Sequence, residues 1–135
     1  MWSYYAGMES GTALAGILTG RINPSGKLAE TFPRVYEDTP TGHNGQFGRD
    51  NMVCYEEEIM VGYRHYEKND ILPMFCFGHG LSYTEFAYHD LQVKQDNDEK
   101  DRVSISFDIE NVGQIDGREI VQIYVRDEEC TVIRP

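Results

Sequence analysis

The first part of the chain has apolar residues at the spacing of a helix. Over residues 9–19, small residues separate four apolar side chains that share one helical face: Ala13, Leu14, Ile17 and Leu18. Gly20 follows where a helix C-terminus favours a left-handed residue, and Arg21 can interact there with the exposed carbonyl groups. This pattern predicts a helix that ends near Gly20 and can approach a neighbour closely.

A turn and a strand are predicted directly after this helix. In Asn23–Gly26, proline fixes one backbone dihedral and glycine permits another, so we expect the chain to reverse there. Leu28–Phe32 alternates apolar and polar residues as a half-buried strand does, and Pro33 prevents further ladder pairing. Helix, turn and strand are typical of an α/β layered domain, and such a unit needs further strands and helices to cover its faces.

The last third of the chain has the period of β-strands. Phe86–Val93 alternates loosely, Val103–Ile109 alternates strictly, and Ile120–Val125 is rich in β-formers. The connections at Gln95–Arg102 and Asn111–Gly117 are polar or rich in turn residues. We therefore predict three strands of an antiparallel sandwich that is only partial, since a complete one has about seven strands in about 100 residues. The uncovered apolar faces would carry Val103, Ile105, Phe107, Val121 and Ile123.

A seam is predicted at residues 75–86, between the segment with the α/β pattern and the segment with the β-strand pattern. Two glycines flank His79 and permit backbone angles that are closed to other residues. Apolar anchors lie on both sides, unlike in a flexible linker: Phe75, Phe77, Leu81, Tyr83 and Phe86. The segment is therefore interpreted as a joint between packed bodies.

Composition and charge restrict the classes of function. The 135 residues are 40% hydrophobic, which suits a globular domain with a core. With 23 acidic and 12 basic residues, the formal charge of −11 repels phosphate backbones, so no nucleic-acid partner is expected. No apolar run approaches the roughly 20 residues of a membrane span, so no membrane partner is expected.

Cysteines and histidines give no sign of a framework or a metal site. Cys54, Cys76 and Cys130 are odd in number and widely spaced, which argues against disulfides and favours a reducing compartment such as the cytoplasm. The four histidines are scattered, so neither a metal site nor a cofactor is predicted. An acidic cluster is interpreted as a solvated hairpin rather than a calcium loop: Asp96, Asp98, Glu99 and Asp101.

Four motifs occur in the order in which one enzyme family has them. They are NPSGKL at residues 23–28, TFP at 31–33, VGYR at 61–64 and FCFGHGLSYTEF at 75–86. Together they resemble the C-terminal region of family 3 glycoside hydrolases, the β-glucosidase family. The resemblance extends from about Tyr5 to Val125.

The resemblance implies a domain organisation. Residues 1–74 would be the C-terminal part of an α/β sandwich domain, residues 75–86 an interdomain seam, and residues 87–135 the truncated N-terminal part of a fibronectin type III-like domain. It also implies an upstream barrel domain of the same polypeptide that is missing here. Whether the sequence is a natural truncation, an incomplete gene or an isolated piece stays open, and so does export.

The resemblance also implies an activity. The parent would be a retaining exo-acting β-glycosidase, a β-glucosidase above all, acting on a β-linked glucoside with an aspartate nucleophile in the barrel and an acid/base glutamate upstream of this segment. No catalytic residue is therefore expected among the 135 residues, and the chain alone should be inactive. The acidic run Glu56–Glu58 is no substitute, because a retaining pair needs carboxyl groups about 5 to 5.5 Å apart across the bond.

Several positions keep two interpretations. The polar loop at residues 34–54 could contact sugar or pack on an adjoining domain. Tyr63, His65 and Tyr66 could face sugars, although aromatic residues in strand-like segments are usually core. His79 could titrate near neutrality or be a hydrogen-bonded structural residue. An anion-binding loop at residues 23–27 is disfavoured because no helix follows.

One departure from the family pattern concerns the backbone. The family commonly has glycine after Tyr-x-Glu, whereas this chain has Glu58 after Tyr55-Glu56-Glu57. If that position has a positive φ, a glutamate there is strained by about 1 to 2 kcal/mol. Arg64 is expected to pair with one of these glutamates, with a structural role.

A second class of function remains as an alternative. The chain could be a non-catalytic sugar-binding or interaction module with a β-sandwich. Such a module would fold stably by itself and bind saccharides, whereas a severed piece should show no cooperative unfolding.

Overall fold

The computed structural model describes residues 1–45, 51–95, 102–126 and 129 of the chain. In order, its elements are α1 (Ser10–Leu18), a 3-10 turn (Tyr36–Asp38), α2 (Pro40–Asn44), α3 (Tyr63–Lys68), β1 (Phe86–Gln95) and β2 (Val103–Asn111). Contacts group the chain into two units: the first unit is Met1–Ser25 with Leu81–Glu119, and the second is Gly26–Gly80 with Ile120–Pro135. The domain boundaries given above stay a prediction.

In the first unit, α1 forms where its period predicts it and ends at the predicted glycine. Gly20 has a φ of 73°, and its N–H donates to the Ile17 carbonyl at 2.9 Å. The Ile22 N–H donates to the Gly16 carbonyl at 2.9 Å, so two terminal carbonyl groups of the helix have partners. Gly16 is buried, and a Cβ there would lie 2.6 Å from the Ile22 side chain. The close approach predicted for the small residues is thus made by the chain's own next segment.

The predicted turn at Asn23–Gly26 is wrong. No turn is found over these residues, and a bend occurs earlier, at Arg21 and Ile22. The Asn23 amide instead bonds to distant parts of the first unit. Its Oδ1 accepts from the Ser82 hydroxyl at 2.9 Å and the Tyr83 N–H at 2.8 Å, and its Nδ2 donates to the Asp116 carbonyl at 3.0 Å. We call this arrangement the Asn23 clip.

Residues next to the Asn23 clip add further polar contacts in the first unit. The Tyr83 hydroxyl donates to the Ile17 carbonyl at 2.8 Å, near the C-terminus of α1. Thr84, only 8% exposed, donates to Asn111 Oδ1 at 2.6 Å. A Cβ on Gly113 would collide with the Thr84 hydroxyl, so glycine is required there. Polar bonds rather than a large apolar core hold this part together.

The two strands of the first unit pair antiparallel, as their alternation predicts, with a bulge in β1. His89 pairs with Asp108 and Gln92 with Ser106, so two residues of β1 face one residue of β2. The extra residue is accommodated at Asp90, whose φ is 53°, a region that aspartate enters more readily than most residues. The loose alternation of Phe86–Val93 in the sequence is the signature of this bulge.

The bulge keeps the apolar residues of β1 on one face. Without it, Tyr88 and Val93 would lie on opposite faces of a strand with a period of two. With it, Tyr88 pairs with Ile109 and Val93 with Ile105. The resulting apolar sheet face consists of Phe86, Tyr88, Leu91, Val93, Val103, Ile105, Phe107 and Ile109. It is largely uncovered, as predicted: Val93 is 62% and Val103 53% exposed.

The third predicted strand is not formed. Ile120–Val125 is in no ladder and belongs to the second unit, so the part of the chain described here contains a two-stranded sheet and no sandwich. Side-chain contacts hold this segment instead. A Cβ on Gly78 would collide with the Gln122 amide, and the Tyr124 ring lies 5.5 Å from the Tyr63 ring. β-Propensity alone does not make a strand, because it depends on how a residue packs in its sheet.

In the second unit, Leu28–Phe32 forms an interrupted pairing rather than the predicted strand. Phe32 makes an isolated antiparallel bridge to Phe75, and the Leu28 N–H donates to the His79 carbonyl at 2.8 Å. Between them the chain bends, and the Thr31 hydroxyl accepts the Phe77 N–H at 3.1 Å where a backbone carbonyl would serve in a regular ladder. The polar side chain thus replaces one ladder bond.

Of the two glycines in the predicted seam, one has a backbone angle that favours glycine and the other does not. Gly78 has a φ of 81°, a conformation that favours glycine. Gly80 has no positive φ, but a Cβ there would press on the Gly26 carbonyl. The predicted anchor Leu81 is 76% exposed, so the described chain does not cover it.

In the segment predicted as a loop at residues 34–54, the described residues 36–44 form the 3-10 turn and α2. The Asp38 carboxylate accepts from the N–H groups of Arg34 and Val35 at 3.1 and 3.2 Å, which fixes the start of the 3-10 turn. The Thr39 hydroxyl caps α2 by accepting from Gly42 N–H at 3.1 Å. Local capping, rather than apolar periodicity, forms these elements, which is why the hydrophobic pattern missed them.

The aromatic segment predicted as strand-like is helical. Tyr63–Lys68 is α3, preceded by Gly62 with a φ of 60°. His65 and Tyr66 are 4% and 6% exposed and form the buried side of this helix. Burial of this side therefore overrides the β-propensity of the aromatic residues.

Candidate functional site

An aromatic groove of about 270 Å³ lies within the second unit. We define it by its rings, Tyr63, Tyr66, Phe77 and Tyr124. Two acidic residues also line it, Glu67 on α3 and Asp70 just after that helix. The groove thus combines ring surfaces with carboxylates, the side chains from which a saccharide site can be built.

The rings of the aromatic groove already contact one another. The Tyr63 ring stacks on the Phe77 ring, with centroids 5.6 Å apart. The Tyr124 ring meets the Tyr63 ring edge-on, with centroids 5.5 Å apart. The Arg64 guanidinium carbon lies 5.7 Å from the Tyr63 centroid. Burial, followed by the nearby Asp38, raises the pKa of the Tyr66 hydroxyl above its usual value. These contacts support the interpretation of Tyr63 and Tyr66 as core residues.

The acidic run does not form a facing pair of carboxylates. Residues 56–59 are in a turn, with the Met60 N–H donating to the Glu57 carbonyl at 2.8 Å, and the chain is not extended as expected. Glu58 has a φ of 51°, so the positive φ considered for this position is present. Glu56 and Glu58 are exposed, whereas a general acid needs surroundings that disfavour its charged form.

Arg64 does not pair with the glutamates as expected. Its Nη1 donates to the Ile59 carbonyl at 3.4 Å. Its Nε is buried, and no hydrogen-bond partner for it is found in the described part of the chain. The Arg64 side chain therefore bonds to the backbone of the turn and lies beside the Tyr63 ring.

His65 lies in a polar cluster beneath α3. Its Nε2 is 3.1 Å from the Asp38 carbonyl oxygen, and its Nδ1 is 3.2 Å from Asn69 Nδ2. The His43 ring of α2 meets the His65 ring edge-on at 5.5 Å. Burial above all, and then His43, lower the pKa of His65, against opposing effects of the Asp38 bond and Glu57. The cluster connects α3 with the 3-10 turn and α2.

The remaining candidates are structural in their geometry. The His79 ring packs against Phe75 with centroids 5.0 Å apart. In the predicted anion loop, the Lys27 ammonium lies 3.5 Å from the Gly80 carbonyl oxygen, and no helix follows that could bind an anion at its N-terminus. The acidic residues considered for calcium, Asp96, Asp98, Glu99 and Asp101, lie outside the described residues.

The described residues contain neither a metal-binding cluster nor a membrane-spanning helix. Within residues 1–45, 51–95, 102–126 and 129, no group of three or more His, Cys, Asp and Glu side chains could hold a metal ion. No helix in the described part is long and apolar enough to cross a membrane.

Comparison with known proteins decides the family. Residues 1–83, more than half of the chain, match the glycosyl hydrolase family 3 C-terminal domain. The chain belongs to this family. The resemblance to family 3 glycoside hydrolases is thus confirmed.

Relatives of this family 3 chain are named as β-glucosidases. It is 47% identical over 134 residues to the thermostable beta-glucosidase B of Acetivibrio thermocellus, and 39% identical over 137 residues to the beta-glucosidase BoGH3A of Bacteroides ovatus. Each alignment covers 98% of this chain and 18% of the relative. The chain thus spans less than a fifth of the length of these relatives.

Solved structures agree with this family 3 fold. Beta-glucosidase 3B from Thermotoga neapolitana, in complex with alpha-D-glucose, matches with a TM-score of 0.71 and 48% identity, over 80% of this chain and 15% of that one. DesR, a beta-glucosidase from Streptomyces venezuelae in complex with D-glucose, matches with a TM-score of 0.67 and 36% identity, over 75% of this chain and 13% of that one.

Sequence reasoning missed two polar centres of this family 3 chain. The Asn23 clip joins residues that are up to 93 positions apart, so no local pattern could reveal it. The pair of His65 and Asn69 is spaced by four residues on a helix, which would have been a signal had α3 been predicted.

Proposed function

We propose that this chain is a segment of a longer retaining, exo-acting β-glycosidase whose activity is that of a β-glucosidase. One observation carries the proposal: an alignment over 98% of the chain, at 47% identity, with a protein named as a β-glucosidase. Because the chain spans 18% of that relative, most of the machinery would be supplied by other residues.

The proposed reaction has two steps, as the resemblance to family 3 implies. An aspartate of the barrel domain attacks the anomeric carbon of a terminal β-linked glucose while a carboxylic acid protonates the departing oxygen. Water, deprotonated by that same acid/base group, then releases glucose with the β-configuration retained. In the proposal, both carboxyl groups come from outside the 135 residues.

In the proposal, the chain itself completes the fold and supports the sugar cleft. Residues 1–74 would end the α/β sandwich domain, and residues 87–135 would begin a fibronectin type III-like domain after the seam at 75–86. The apolar sheet face supports this, since one side of β1 and β2 is apolar except for Gln95 and Asn111 at its ends. The opposite side carries Ala87, His89, Gln92, Lys94, Ser104, Ser106, Asp108 and Glu110. An amphipathic sheet of this kind could pack its apolar side against a second sheet, as the proposed sandwich requires.

The chain alone is proposed to be inactive. The acidic run at residues 56–58 is in a turn with its outer carboxylates in solvent, and it does not supply two groups facing one another across a bond. The alternative of a sugar-binding module has less support, because the Tyr63 ring already stacks on Phe77.

A chimera tests the proposal. The segment of the Acetivibrio thermocellus enzyme that aligns with this chain is replaced by these 135 residues, and hydrolysis of 4-nitrophenyl β-D-glucoside is measured. We expect kcat/KM within about tenfold of the parent, which corresponds to a loss of about 1.4 kcal/mol in transition-state stabilisation. The same enzyme with the segment deleted is the matched control and should be inactive.

Two results would contradict the proposal. One is a chimera that is soluble and folded by circular dichroism but has no turnover. The other is turnover by the purified chain alone, abolished in its Glu56→Gln or Glu57→Gln variant, because the catalytic carboxylate would then lie within this sequence.

A further inference from the structure

The aromatic groove of the second unit has two ring walls that meet at nearly a right angle. The Tyr63 and Phe77 rings lie within 26° of parallel and form one wall. The Tyr124 ring stands at 84° to the Tyr63 ring and forms the other wall, and Tyr124 is 56% exposed. Ring faces carry the negative part of the aromatic quadrupole, and aromatic cages use several rings to bind a quaternary ammonium group.

The groove has the size of a small organic ion. Its volume of about 270 Å³ lies just below the range of about 300 to 1,000 Å³ that drug-sized ligands occupy. A space of this volume is about 8 Å across, so a cation at its centre lies within the roughly 6 Å over which a ring attracts it. A ligand that fills the groove therefore contacts both walls at once.

The lining of the groove is negative. Among the described residues, Glu67 and Asp70 line it, and no lysine, arginine or histidine does. Neither carboxylate is in an ion pair within the described part of the chain. Both lie at the C-terminal end of α3, where the free carbonyl groups of the helix add further negative potential. A positively charged ligand complements this lining.

The cation that already contacts the rings lies outside the groove. The Arg64 guanidinium carbon is 5.7 Å from the Tyr63 centroid, but Arg64 is not among the described residues that line the groove. Its Nη1 donates to the Ile59 carbonyl at 3.4 Å, in the turn before α3. Arg64 therefore does not compensate the charge of the groove from within.

A saccharide fits the open end of the groove less well. A sugar hydroxyl both donates and accepts, so its site needs donors as well as acceptors. The Tyr124 hydroxyl donates its hydrogen to Gln122 Oε1 at 2.8 Å, and the two carboxylates can only accept. A quaternary ammonium group has no hydrogen-bonding requirement of its own, and ring faces with nearby carboxylates satisfy its charge.

We propose that the aromatic groove binds a small organic cation of the quaternary ammonium class, whose methyl groups lie against the ring walls while Glu67 and Asp70 compensate its charge. This inference concerns the second unit alone and does not depend on the proposed function.

Isothermal titration calorimetry with choline chloride tests the site, at constant ionic strength. The 135-residue chain and the chimera described above are measured in parallel. The matched ligand is 3,3-dimethylbutan-1-ol, in which carbon replaces the nitrogen, so the shape is kept and the charge is lost. We expect choline to bind at least about tenfold more tightly than this alcohol. Turnover is not a readout, so an inactive chimera would leave this result unaffected.

Variants separate the contributions of the rings and the charges. Tyr124→Leu removes one wall and should weaken choline binding about fivefold or more, whereas Tyr124→Phe keeps the ring and should stay within about twofold. Glu67→Gln and Asp70→Asn should each weaken it about two- to fivefold. Asparagine tolerates the φ of 52° at residue 70, so the backbone is retained. Glu58→Gln is the matched control, because it makes the same change in net charge outside the groove and should leave the affinity unchanged.

Four results would overturn the proposal. One is the absence of choline binding in both the chain and the chimera, and another is equal affinity for choline and the neutral alcohol. A third is wild-type affinity in the Tyr124→Leu, Glu67→Gln and Asp70→Asn variants, which would place the cation elsewhere. The fourth is an equal loss in Glu58→Gln, which would assign the effect to net charge.

Discussion

At the scale of single residues, Glu58 has a backbone conformation that residues with a side chain do not favour. Glu58 has a φ of 51°, in the left-handed region that favours glycine. A left-handed residue with a Cβ costs roughly 1 to 2 kcal/mol. In the turn at 56–59 the Met60 N–H donates to the Glu57 carbonyl, and few such bonds oppose this strain.

Glu58→Gly should therefore stabilise the turn. Relief of left-handed strain exceeds the extra freedom that glycine gives the unfolded chain, so we expect a gain of about 0.5 to 1 kcal/mol. The free energy of local opening, measured in the chimera from amide exchange at Met60, checks this. Glu56→Gly is the control and should lower that free energy by about 0.5 to 1 kcal/mol, because Glu56 has no positive φ. Equal effects of both substitutions would contradict the interpretation.

At the scale of elements, an alternating sequence becomes a strand only where a second strand pairs with it. β1 and β2 are predictable because each has a one-sided apolar pattern and a neighbour with the same pattern. The bulge at Asp90 explains why the pattern in β1 is looser than in β2.

The bulge makes a prediction of its own. Deleting Asp90 should move Phe86 and Tyr88 to the polar face, because the register of residues 92–95 with β2 is retained. The ring contact of Tyr88 with Phe107, now 6.3 Å between centroids, should be lost in nuclear Overhauser spectra. Asp90→Gly keeps the bulge and serves as the control. A deletion variant that retains the Tyr88–Phe107 contact would refute this account.

Three elements were predicted wrongly or missed, and each failure has a physical reason. Ile120–Val125 has the composition of a strand but is not part of a β-ladder in the described structure. The aromatic residues of α3 resemble a strand by propensity, and burial of His65 and Tyr66 makes the segment a helix. Capping by Asp38 and Thr39 forms helical turns without any apolar period.

At the scale of the whole molecule, the described part of the chain has very little interior. Among the described residues, Tyr66 is the one apolar side chain classed as buried. The net charge of −11 keeps such a chain apart from its copies in solution, while the uncovered apolar surface favours partners. The family assignment was predictable from the motifs at residues 23–33, 61–64 and 75–86, and the uncovered sheet face from the strand pattern. How few apolar side chains are buried among the described residues became visible only in the structure.

The isolated chain should therefore unfold without a cooperative transition. Apolar burial contributes about 25 cal/mol per Å², and too little is buried here to outweigh chain entropy as one unit. A thermal scan by circular dichroism should be broad, and the dye ANS should bind at room temperature. The chimera described above is the control and should bind less dye per molecule. A sharp transition without dye binding would show a self-sufficient domain.

The Asn23 clip has a chemical consequence for how the protein ages. Asparagine degrades when the nitrogen of the next peptide bond attacks the side-chain amide and closes a succinimide ring. Residue 24 is proline, whose nitrogen bears no hydrogen, so this ring closure is blocked. The amide on which Ser82, Tyr83 and Asp116 depend is thereby protected against the slow conversion to aspartate, which would place a negative charge beside the Asp116 carbonyl.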